Sequence, residues 1–100
     1  PGAPISGVSR SWWNARNSFI HQHLDDIPNG VLVIDPTNLY CDDRECWALK
    51  NGEALYFDHN HLSRAGTLPL AQLIVDCLVK NGFLDKSIHP SNIIICRSPQ

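Results

Sequence analysis

One hundred residues with 43% apolar side chains make one domain or part of one, with enough apolar content for a core but only marginal stability from burial alone. Eight Lys and Arg stand against ten Asp and Glu, for a formal net charge of −2, and the basic residues are scattered. That argues against nucleic acid as the main partner, which needs a basic stripe, and no apolar run approaches the ~20 residues of a bilayer span.

Residues 1–8 read as a disordered lead-in, and the abrupt Pro1-Gly2-Ala3-Pro4 start reads as a cut from a longer protein. No pattern of charge, apolar stretch and small-residue cleavage site marks a signal peptide. From Ser9 to Ile27, Trp12, Arg16, Phe19, Ile20, His23, Leu24 and Ile27 recur at helical steps, which predicts an amphipathic helix. Ser9 or Ser11 suits its N-cap, and Pro28-Asn29-Gly30 stops it. Trp12 and Trp13 are adjacent and cannot share one helix face, so one packs while the other is half exposed, against a missing part of the domain or a sugar. His21 and His23 lack an i, i+4 partner, and no metal role is expected of them.

Val31-Leu32-Val33-Ile34 is a continuous, β-branched apolar run leading to Asp35-Pro36, which predicts a strand covered on both faces, as in a parallel sheet. Asp35 is either a second acidic group near a site or, more commonly before a proline, a turn former. Cys41 and Cys46 enclose the polar tip Asp42-Asp43-Arg44-Glu45, which a disulfide could clamp for about 2 kcal/mol; two reduced thiols are the other reading. With Cys77 and Cys96, several pairings are open, and Cys77, on a helix face with leucines, reads as a small buried hydrophobe. Trp47 is expected to cover the Cys41…Cys46 loop.

Asn51-Gly52 signals a turn before a second extended segment, Leu55-Tyr56-Phe57. Leu70, Leu73, Ile74, Cys77 and Leu78 then predict a helix closed by Asn81-Gly82. Its start is open: Ser63 with a break at Pro69, or Thr67 with Pro69 in the first turn. Ile93-Ile94-Ile95 is a weak last strand or a tail packing on the rest. Helix, buried strand, loop and helix together are the alternation of a layered α/β domain.

The chemistry concentrates in Asp58-His59-Asn60-His61, between the second extended segment and the second helix. A histidine acting as general base needs one ring nitrogen facing a hydroxyl and the other held by a carboxylate. Asp58 and His61 are spaced so that one turn brings both to one place. The competing reading is a local capping hydrogen bond at a helix start. His59 reads as an exposed turn histidine.

Ile34-Asp35-Pro36, the Cys41…Cys46 loop, Tyr56-Phe57-Asp58 and His61-Leu62-Ser63 with Gly66 after it together resemble the C-terminal part of the SGNH-type domains fused to family-3 membrane acyltransferases. Such proteins O-acetylate surface polysaccharides such as lipopolysaccharide O-antigen. The resemblance spans about Ile34 to Leu73. It implies a partial SGNH-hydrolase-like (flavodoxin-like) domain, with two main helices and a few short, mainly parallel strands, over residues 9–97 and a tail at 98–100. It further implies a periplasmic or other extracytoplasmic location, a polysaccharide substrate, a membrane acyltransferase module in the same parent chain, no cofactor and no metal. His61 would be the base and Asp58 its orienting acid, with a small loop closed by Cys41 and Cys46.

The family's nucleophile lies in a Gly-Asp-Ser motif, which these 100 residues lack. The isolated chain is therefore expected to hold the base half of a Ser-His-Asp triad and not to turn over acyl groups. The alternative is an HNH-type metal nuclease, since Asp58-His59-Asn60-His61 between a strand and a helix is similar to its metal corner. The cysteine spacing and the acidic balance weigh against it.

Overall fold

The computed structural model describes residues 3–56, 58, 61–83 and 93–99. Its elements in chain order are β1 (Ile5–Ser9), α1 (Arg10–Arg16), α2 (Ser18–Gln22), a 3-10 turn (Leu24–Asp26), β2 (Leu32–Asp35), α3 (Thr37–Tyr40), β3 (Glu45–Lys50), β4 (Glu53–Ala54), α4 (Arg64–Lys80) and β5 (Ile94–Arg97). Helices and strands alternate as the α/β reading expects. Among the described residues no helix is long and apolar enough to cross a membrane.

Two small sheets carry the strands. β2 and β5 pair in parallel, Leu32 opposite Ile94 through Asp35 opposite Arg97. β1, β3 and β4 form an antiparallel sheet in that order. The expectation of mainly parallel strands thus holds only for β2 and β5. The difference comes from β1 pairing antiparallel along β3 and from the β3–β4 hairpin, closed by Asn51 and Gly52 with φ of 55° and 78°. Two positive φ values give the twist a tight two-residue hairpin needs. That turn was visible in the sequence, but the strand before it was not, because Cys46 and Trp47 read as loop.

Residues 5–8, expected to be disordered lead-in, instead form β1 together with Ser9, along β3. Ser9 ends that strand and caps α1, its hydroxyl accepting from the Trp12 N–H at 3.1 Å. The single helix expected over 9–27 breaks at Asn17. There the side-chain amide and the backbone N–H both donate to the Trp13 carbonyl, a local competition that favours helix ends over interiors. Trp13 packs against the core while Trp12 is exposed.

β2 is only half-buried along its length, short of the two-sided cover its apolar run predicted. α4 starts at Ser63 and runs through Pro69 without ending. Pro69 lacks the N–H that would reach the Ala65 carbonyl, so the helix continues on the strength of its other contacts. Asn81 and Gly82, with Gly82 at φ 71°, close it as expected.

The core is a compact cluster of Tyr40, Cys41, Cys46 and Leu55, flanked by Trp13, Trp47 and Leu62. Cys41 and Cys46 are joined as a disulfide, with Cα atoms 3.9 Å apart. Cys77, read as an unpaired hydrophobe, is buried but bonded to Cys96. Its partner lies 19 residues away and reaches it because α4 packs beside β2 and β5 pairs with β2. Residue 98 is no loose tail either: Ser98 is buried and donates its N–H to the Asp35 carbonyl at 3.1 Å.

Candidate functional site

A short loop presents Asp58 and His61. Leu55 leaves the hairpin with its N–H bonded to the Ala48 carbonyl, and its own carbonyl accepts from the Ser63 N–H at 2.8 Å. Tyr56 and Leu62 then pair as an isolated antiparallel bridge. Asp58 and His61 stand just inside this bridge, two residues after Tyr56 and one before Leu62. Phe57, His59 and Asn60 lie outside the described residues.

Asp58 holds His61 twice. Its Oδ1 accepts from the His61 backbone N–H at 2.7 Å, the local turn bond that the competing reading foresaw. The ring is gripped as well, with Nδ1 at 2.9 Å from Oδ2 and 3.1 Å from Oδ1. A carboxylate only accepts, so the contact favours the neutral tautomer with the proton on Nδ1 and the lone pair on Nε2. Both side chains are exposed, His61 at 67% and Asp58 at 41%. A contact that open to water adds little stability, so what it supplies is orientation of the ring.

The loop is anchored by the first turn of α4. Ser63 Oγ accepts from the Gly66 N–H at 3.1 Å and donates to the Ala54 carbonyl, tying the helix start to β4. Thr67 returns its hydroxyl to the Ser63 carbonyl at 2.8 Å. Gly66 is required by close approach: a Cβ there would overlap the Leu55 carbonyl oxygen. The buried Tyr40 hydroxyl donates to the Gly66 carbonyl at 2.6 Å. Burial, with the neighbouring Tyr56, pushes the Tyr40 phenol pKa up and keeps it protonated as a donor. Nothing in the sequence near Tyr40 marks this link, because its acceptor lies 26 residues on.

The Cys41…Cys46 loop is stiffened by Asp42, whose Oδ1 accepts from the N–H groups of Glu45 at 2.7 Å and Arg44 at 2.8 Å. Those two donors hold the Asp42 carboxyl below the usual range. Trp47 is half-buried and packs against the cluster of Tyr40, Cys41, Cys46 and Leu55.

Asp35 is engaged elsewhere. Its Oδ1 accepts from the Thr37 hydroxyl at 2.7 Å and the Thr37 N–H at 3.1 Å, and Arg97 Nε lies 3.7 Å from Oδ2. Burial raises its pKa, but the Thr37 bonds, with His21 and Arg97 nearby, outweigh that and hold it low. This is the turn-former role. Asp35, Arg97, His21 and Trp13 help line a cleft of about 180 Å³ between α1, α2 and the β2–β5 sheet. Neither Asp58 nor His61 lines it. Among the described residues, no group of three or more His, Cys, Asp or Glu converges as a metal site would.

Searches of curated proteins and of solved structures return no match. A family model does match, that of the SGNH domain fused to AT3 domains, over residues 2–76. The matched stretch includes β1, the Cys41–Cys46 loop, Asp58, His61, Ser63 and Gly66, and it lends no support to a nuclease. With three quarters of its length so matched, the chain belongs to the family of SGNH domains fused to AT3 domains, and is an acyltransferase-associated domain.

Proposed function

We propose that this chain supplies the base half of a Ser-His-Asp triad in a membrane-linked O-acyltransferase that modifies cell-surface polysaccharide. The observation that carries this reading is the grip of Asp58 on His61 Nδ1, at 2.9 Å, with the ring on an exposed loop. Family membership supports acyl-group chemistry, and the two disulfides fit an extracytoplasmic compartment.

In this mechanism a serine supplied from outside these residues attacks the acyl carbonyl. His61 Nε2 takes its hydroxyl proton as the new C–O bond forms, and Asp58 stabilises the resulting imidazolium. The imidazolium then returns the proton to the leaving group. In the second half-reaction a sugar hydroxyl attacks the acyl-serine, His61 takes the sugar proton, and the serine leaves reprotonated. Asp58 keeps the ring in one tautomer through both halves.

The test is in the parent acyltransferase: polysaccharide from cells carrying His61→Ala should lose its O-acetyl groups, measured as acetate released by mild base. Unchanged acetylation overturns the reading. The isolated 100-residue chain should give no turnover of p-nitrophenyl acetate.

A further inference from the structure

We propose that Tyr40 is a positioning residue for the Asp58–His61 pair, acting through Gly66. This rests on the reading of that pair given above. Tyr40 is the one large polar-tipped side chain of the buried cluster, 7% exposed, and it lies next to Cys41 of the clamped loop. Its hydroxyl crosses to the first turn of α4 and donates to the Gly66 carbonyl. Gly66 in turn lies against the Leu55 carbonyl, with no room for a side chain. Leu55 and Ser63 are hydrogen-bonded at the neck of the loop, just outside the Tyr56–Leu62 bridge. A continuous chain of contacts thus leads from the disulfide cluster to the base of the loop that carries His61.

The geometry explains why a phenol serves here. A carbonyl in the first turn of a helix already accepts along the helix, but it has a second lone pair. A buried donor aimed at that lone pair fixes the turn's rotation as well as its distance from the cluster. An apolar side chain at 40 would fill the same space without setting that rotation. The loop would remain folded, yet Asp58 and His61 would sample arrangements in which Nδ1 is not held. Catalytic groups that are one ångström out of place lose much of their rate.

The experiment uses the 100-residue chain with ¹⁵N-labelled histidine, at a pH well above the imidazole range, where the ring nitrogens report the tautomer. In the unsubstituted chain His61 should be dominantly in the Nδ1–H form. Tyr40→Phe, which keeps the ring and removes the donor, should shift the tautomer ratio by roughly fivefold, the scale of one lost hydrogen bond. His21 and His23 should be unchanged. Tyr40→para-aminophenylalanine, which restores a donor at the same place, should recover the unsubstituted ratio. It also serves if the phenylalanine variant does not fold, since loss of the Nδ1–H form in the amino variant then overturns the proposal. A phenylalanine variant that melts earlier but keeps the His61 ratio shows a structural role only and also overturns it. If the unsubstituted chain lacks the Nδ1–H form, the pair itself fails, and both readings fall with it.

Discussion

The α-carbon of Gly66 lies so close beneath the Leu55 carbonyl that a methyl group added there would overlap the oxygen. Helix α4 and the strand exit are therefore in backbone contact where the His61 loop begins. In an open helix, Gly→Ala stabilises by up to about 1 kcal/mol. Here the sign should reverse. Gly66→Ala is predicted to destabilise the chain by about 1–3 kcal/mol, the usual cost of overpacking, read from urea denaturation followed by Trp fluorescence. A neutral or stabilised variant would show that the contact relaxes at no cost.

Asp58→Asn separates orientation from charge. Asparagine can still take the His61 backbone N–H, but it replaces a charged acceptor at Nδ1 with a neutral amide. In the parent acyltransferase, transfer should fall by about 10²- to 10⁴-fold, the range of general-base assistance. The melting temperature of the chain should move little, because the pair is exposed. A large loss of stability with transfer unchanged would make the pair a structural turn.

Acid should weaken the β2–β5 end through Asp35. Its folded-state pKa lies below the ordinary 3.8, because the Thr37 bonds, His21 and Arg97 outweigh the upward pull of burial. A depressed pKa adds stability that is complete above the unfolded value and is lost as pH falls through the folded one. The loss therefore belongs below pH 3.8. Asp35→Asn should be the less stable protein near neutrality, with the gap closing on acidification through that window. A gap that stays constant in melting scans down to about pH 2 contradicts the assignment.

The two disulfides should differ in value. Cys77–Cys96 closes a 19-residue separation, and Cys41–Cys46 closes one of 5. Chain entropy gives about 3 kcal/mol for the longer loop and about 2 kcal/mol for the shorter. Replacing each pair by alanine and comparing denaturation midpoints should reproduce that order. The reverse order would mean that the small loop also contributes through the core around Tyr40 and Leu55.

Local signals were legible where the physics is local. Ser9 and Asn81-Gly82 ended helices as their chemistry demands, Asn51-Gly52 turned a hairpin, and the three-residue step from Asp58 to His61 brought the two side chains together. Errors arose where long-range contact overrode a local pattern. Ile5–Val8 looks like lead-in until β3 offers it an edge, and Cys77 looks like a core hydrophobe until β5 delivers Cys96. Asn17 split a helix whose apolar spacing continued past it.

By itself the sequence determined the α/β character, the family motifs and the acid–imidazole pair, since each is written as residue types in order along the chain or as a contact between near neighbours. Only the tertiary structure decided that Cys77 joins Cys96, how β1 and β5 pair, and that Tyr40 reaches Gly66. Those contacts unite segments that the chain separates widely, and their closeness is created by packing, which no short stretch of residues encodes.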